Sequence, residues 1–161
     1  MRDDLLARIE AVYRERYAAF LRVALAVVGD EEAARDAVHD GVVAAVRARS
    51  QYRADGSLEG WLWRAVLNAA RQRRRRRVVA EELLDEWAAP AAEPRDELVR
   101  AAVGALPERQ RLVLFLRYFA DLDYRAIGEA CGIAEGTVAA TLHAAHASVR
   151  RALEEVETCE R

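Results

Sequence analysis

The chain has 161 residues, enough for one ordinary domain or two small helical ones. Its 8 glycines and 3 prolines are too few for the turns of an all-β fold, and an alanine-rich apolar fraction of 53% favours helix. A net charge of -2 hides a split, with 16 Arg against 11 acidic residues in positions 1–80 and 9 Arg against 16 in positions 81–161.

No apolar run approaches the roughly 20 residues of a membrane span, and no secretory signal precedes the first helix, so a cytoplasmic protein is expected. Two cysteines, Cys131 and Cys159, are too few for a disulfide scaffold. All 25 basic residues are Arg, whose planar fork suits phosphate, but with so low a net charge any nucleic-acid binding must rest on local patches.

The first helix is expected from about Asp4 to Val28, with Leu5, Ile9, Val12, Phe20, Leu21, Ala24 and Val28 at helical spacing. Asp30 is placed to cap a second helix, which carries Ala34, Val38, Val42, Ala45 and Val46 on one side. Residues 50–57 break the pattern at an Asp55-Gly56 turn. Ser57 can cap a third helix holding Trp61, Leu62, Ala65, Val66 and Ala69, which runs into Arg71 and the block Arg73–Arg77. Residues 88–94, AAPAAEP, read as a Pro/Ala linker.

A second helical group begins near Arg95. Leu106-Pro107 separates a short helix from one marked by Leu112, Val113, Leu116 and Phe119. Asp123 can cap the helix Tyr124–Cys131, which Gly132 ends, and a last helix from Glu135 carries Val138, Leu142, Ala145, Val149, Leu153 and Val156. The expected fold is all-α, with two small helical domains at 1–78 and 95–161 and a flexible linker over 79–94.

Two helices joined by a tight Gly-containing turn form the helix-turn-helix geometry, which presents its second helix to the DNA major groove. A purely structural hairpin has the same local pattern. Thr137, near the start of the second helix, can donate its hydroxyl to phosphate.

The stretches LPERQRLVLFLRYF (106–119), LDYRAIG (122–128) and GIAEGTV (132–138) resemble region 4 of the extracytoplasmic-function group of bacterial RNA polymerase sigma factors. The first half carries a separate match. Tyr13 to Gly29 is similar to the opening helix of region 2, DEEAARDAVHD (30–40) to its polymerase-binding helix, and YRADGS (52–57) with WLWRAVLN (61–68) to its promoter-melting segment. The resemblance covers about 150 residues.

It implies a non-enzymatic initiation subunit without cofactors, whose partners are core RNA polymerase, promoter DNA and an anti-sigma factor. Arg35, Asp36, His39 and Asp40 would face the polymerase, although His39-Asp40 stands where the family usually has Gln-Glu. Tyr52, Trp63, Asn68, Arg71, Arg74 and Arg75 would handle the minus-ten element, whose unstacked base must be recovered by stacking and edge hydrogen bonds. Arg111, Arg117, Arg125, Thr137, Thr141, His143 and His146 would face the minus-thirty-five element.

Other roles stay open for several residues. Tyr52 and Trp61 can close the core instead, and the Arg block can be a solvated helix end. After GTV the family usually continues with basic residues, whereas here no Arg occurs before Arg150. The competing class is therefore a sigma-like regulatory or interaction protein whose region 4 no longer reads DNA specifically. A free-standing helix-turn-helix repressor leaves the first domain unexplained. His143 and His146 share a helix face but lack the partners of a metal site, and no nucleophile motif supports a Cys–His hydrolase. The charge split further suggests an acidic second half tucked against a basic first half.

Overall fold

A computed structural model describes residues 2–53, 56–80 and 94–159. The chain order is α1 (Arg2–Val28), α2 (Glu31–Arg47), a 3-10 turn (Arg49–Gln51), α3 (Leu58–Ala80), α4 (Pro94–Gly104), α5 (Glu108–Tyr118), α6 (Tyr124–Cys131) and α7 (Glu135–Cys159). Among the described residues there is no strand. The Pro/Ala linker reading falls largely on residues 81–93, outside the described residues, and α4 already begins at its last residue, Pro94.

Local chemistry sets the helix ends. Asp30 accepts the Ala33 amide at 2.8 Å, and Glu31 and Glu32 lie in the first turn of α2, where the helix dipole favours negative charge. Ser57 Oγ accepts the Gly60 amide at 3.1 Å at the start of α3. Asp123 accepts the Ala126 amide at 2.7 Å, and Gly132 closes α6 at φ 69°, a left-handed conformation nearly free of cost only for glycine.

α1, α2 and α3 pack around Ile9, Phe20, Val23, Val38, Leu62, Trp63 and Val66, all at most 2% exposed. Phe20 and Trp63 meet with ring centroids 4.4 Å apart. α2 crosses α3 so closely at Gly41 that a Cβ there would lie 2.5 Å from the Val66 Cα. In the second group, Leu112, Val113 and Leu116 are buried with Ile127, Val138, Leu142 and Ala145. Phe119, expected in that apolar stripe, is the residue after α5 and is 52% exposed.

The expectation that each helical group closes its own core is corrected. One buried cluster runs from Phe20 and Trp63 through Leu116 and Ile127 to Leu142. α6 lies against α3, so the helix-turn-helix is seated on the N-terminal three helices.

Candidate nucleic-acid interface

α3 organises the site because its residues divide among three faces, about 100° apart per residue. The first is buried and meets α1 and α2 through Leu62, Trp63, Val66 and Ala70. At its polar end Arg73 bridges Asp36 at 3.1 Å and Asp40 at 2.5 Å. Two of the residues expected to face the polymerase thus share one guanidinium. Arg35 pairs with Glu31 on the same helix, and His39 is exposed.

The second face opens to solvent. Trp61, Ala65, Asn68, Gln72 and Arg75 recur at 3–4 residue spacing and, with Arg64, line one side of an open groove. Asp40, Ala44, Ala48 and Gln51 line the other. Asn68 is exposed and presents an amide, which both donates and accepts, beside a half-buried indole. Tyr52 sits at the groove's Trp61 end, ring centroids 5.3 Å apart, and donates its hydroxyl to the Gly56 carbonyl at 3.0 Å. The tyrosine thereby staples its loop and backs Trp61.

Trp63 requires a correction. It is 0% exposed, packed on Phe20, and so cannot stack a promoter base. The accessible indole is Trp61, one strand of spacing away on the groove face. The usable signal was the series 61, 65, 68, 72, 75, whose polar members mark the solvent side.

The third face turns toward the C-terminal helices. Arg71 and Arg74 lie 3.5 and 3.4 Å from the Glu108 carboxylate of α5. Glu129 of α6 accepts the Ser57 amide at 2.8 Å, and Arg125 donates to the same carboxylate at 3.3 Å. The contiguous Arg block is therefore split, with Arg75 on the groove, Arg73 on α2, and Arg71 and Arg74 on α5.

In the helix-turn-helix, Thr137 and His143 are exposed on α7. Thr141 donates its hydroxyl to the Thr137 carbonyl at 2.7 Å, and His146 is hydrogen-bonded to the Tyr118 hydroxyl at 2.9 Å. Arg111 donates to the Gly104 carbonyl at 2.8 Å, tying α5 to the end of α4. Arg117 donates to the Leu122 carbonyl at 3.2 Å and pairs with Asp121, which holds a positive φ of 52°. The structure thus gives Arg111 and Arg117 jobs in the turns, apart from the exposed face of α7.

Two groups are shifted by burial. Desolvation pushes the Glu59 carboxyl above its ordinary value, opposed by Arg16 at 2.8 Å. Burial also raises the Cys131 thiol, which suits an inert packing residue.

Comparison with known proteins adds family matches at both ends. Residues 12–78 match the family described as Sigma-70 region 2, and residues 96–155 match Sigma-70, region 4. The RNA polymerase sigma-E factor of Streptomyces antibioticus is 30% identical over 161 residues, covering 96% of this chain and 89% of that one. Relatives named as extracytoplasmic-function sigma factors match at 27% identity. The fold is similar to CnrH in complex with the cytosolic domain of CnrY, with a TM-score of 0.68 at 21% identity over 91% of this chain and 88% of that one. It is also similar to the sigma factor RpoE of Bartonella quintana in complex with the anti-sigma factor NepR, with a TM-score of 0.63 at 19% identity over 94% and 95% of the two chains.

Proposed function

The chain belongs to the extracytoplasmic-function group of RNA polymerase sigma factors, which direct transcription initiation, and from that premise we propose how its helix faces divide the work. Residues 1–78 act as the polymerase-binding and promoter-opening domain, residues 79–94 as the tether, and residues 95–161 as the upstream promoter-binding domain. Asp36, Asp40, Arg35 and His39 meet the polymerase. The α3 groove takes the minus-ten strand.

The observation that carries this reading is the groove itself. Trp61 supplies a stacking surface, Asn68 a base-edge partner, and Arg64 and Arg75 cations for the backbone, all along one open face. Stacking on an aromatic ring is worth roughly 1–3 kcal/mol per base, enough to offset the unstacking of one base. Thr137 and His143 on α7 meet the upstream element, with Arg125 nearby on α6. The protein acts by binding, without catalysis or a cofactor, in the cytoplasm with its polymerase. None of its described helices is long and apolar enough to cross a membrane. The RpoE relative in fold is described with an anti-sigma factor, which supports a regulator of that kind here.

A second reading is favoured by one observation. The exposed face of α7 carries no Arg before Arg150, and His146 is already bonded to Tyr118. On that reading the upstream domain contributes contact but little sequence discrimination.

Run-off transcription with purified core polymerase on a promoter library tests the assignment. Defined start sites are expected with the wild-type chain. Core binding without initiation at any promoter would leave only the regulatory role.

A further inference from the structure

The third face of α3 is Ser57, Gly60, Arg64, Arg71 and Arg74, and the carboxylates that reach it come from Glu108 and Glu129 of the C-terminal helices. Glu129 accepts the Ser57 amide, at the N-terminal end of α3, at 2.8 Å. Glu108 stands 3.5 Å from Arg71 and 3.4 Å from Arg74. Gly60 makes the approach possible, because a Cβ there would lie 2.8 Å from the Glu129 Oε2 and 3.0 Å from the Ala126 carbonyl.

We propose that Glu108 and Glu129 form an internal lock, whose carboxylates occupy amide and guanidinium groups that promoter phosphates would otherwise take. The proposal rests on the functional reading above and adds that the free chain closes its own minus-ten surface. Carboxylate and phosphate oxygens are interchangeable acceptors for a guanidinium fork, and a helix N-terminus attracts either anion.

The lock also bears on the loop beside the groove. Ser57 ends the segment that Tyr52 staples through Gly56, so the Glu129 contact fixes that segment against α6. A strand entering between them must displace the carboxylate.

The strength suits a reversible device. Glu108 is about half exposed, and ion pairs of that kind bias an equilibrium by no more than about fivefold. A charge-assisted hydrogen bond such as Ser57 to Glu129 contributes on the order of tenfold. Together they hold the helices closed without preventing a bound polymerase or DNA strand from opening them.

The test uses the whole chain with Glu108→Gln and Glu129→Gln combined, beside a control of equal charge change, Glu10→Gln with Glu32→Gln. Binding of a fluorescent single-stranded oligonucleotide should tighten about tenfold in the lock variant at low salt and about twofold or less in the control. Small-angle scattering should give the wild type a radius of gyration of about 15 Å, that of one compact body, and the lock variant a larger one. Raising salt to about 1 M, where charges are screened over roughly 3 Å, should expand the wild type itself, a reading independent of any variant. Equal affinity gains in both variants, an unexpanded lock variant, or a wild type indifferent to salt would each overturn the lock. Since no reading involves polymerase, these outcomes stay separate from those of run-off transcription.

Discussion

Arg73 sets two of its guanidinium nitrogens on one carboxylate oxygen of Asp40, at 3.1 and 2.5 Å, and a nitrogen on Asp36 at 3.1 Å. A member of an Arg block that reads from sequence as phosphate-binding is thus turned back onto the helix expected to meet the polymerase. The contact joins the end of α3 to α2. It also offsets part of the negative charge that the polymerase would meet.

The pair should be measurable but small. Asp40 is about half exposed and Arg73 about one-third, so solvent screens much of their attraction. A double-mutant cycle of Arg73→Gln with Asp40→Asn should give a coupling of about 0.5–1 kcal/mol in urea unfolding. A coupling near zero would mean the contact does not hold α3 to α2.

The two tryptophans should separate stability from binding. Trp63→Ala removes a fully buried ring and should cost about 3–5 kcal/mol of stability. Trp61→Ala should cost much less stability, yet weaken minus-ten strand binding by roughly 1–3 kcal/mol. Thermal melts and oligonucleotide titrations on both variants decide it, and a reversed pattern contradicts the groove.

Gly41 should tolerate no side chain. An alanine Cβ there would lie 2.5 Å from the Val66 Cα, a backbone atom that cannot yield without moving α3. Gly41→Ala should destabilise by about 1–3 kcal/mol, the usual cost of overpacking. Urea midpoints matching the wild type would show that α2 and α3 cross less tightly than described.

Glu59 should make stability depend on pH. Its carboxyl is raised in the folded state chiefly by desolvation, with Arg16 opposing, so the folded chain holds that proton more tightly than the unfolded chain. Stability from this group is then present below the ordinary carboxylate value of 4.5 and falls as pH rises through the raised value. Glu59→Gln should gain on the wild type over that rise in urea unfolding. A wild-type–variant difference that is constant with pH would remove Glu59 as the cause.

Upstream discrimination should be shallow. A bidentate Arg contact to guanine is worth roughly 1–3 kcal/mol, and the exposed face of α7 offers none before Arg150. Scrambling the upstream element should therefore reduce run-off product by less than about tenfold, one such contact's worth. A drop of a hundredfold or more would show that His143, Thr137 or a neighbour reads bases after all.

Much of the fold was legible because its signals are local. Asp30, Ser57 and Asp123 cap the helices that their positions suggested, and Gly132 takes the left-handed turn. The site was less legible, because α3 is amphipathic in three directions rather than two. Trp61 and Trp63 differ by two residues yet face solvent and core, and the Arg block scatters around the helix. The contacts of Arg73 with Asp40 and of Ser57 with Glu129 span 33 and 72 residues. No local periodicity encodes such distances, since they depend on how the helices pack.

The most direct test of the groove is promoter opening by reconstituted holoenzyme, followed with 2-aminopurine in the minus-ten non-template strand. Wild type should be compared with Asn68→Ala combined with Arg75→Ala. The double variant should still bind polymerase, while the fluorescence rise of opening falls by about tenfold or more, the loss of one good base contact. Opening at the wild-type rate and amplitude would contradict the claim that the α3 groove takes the minus-ten strand.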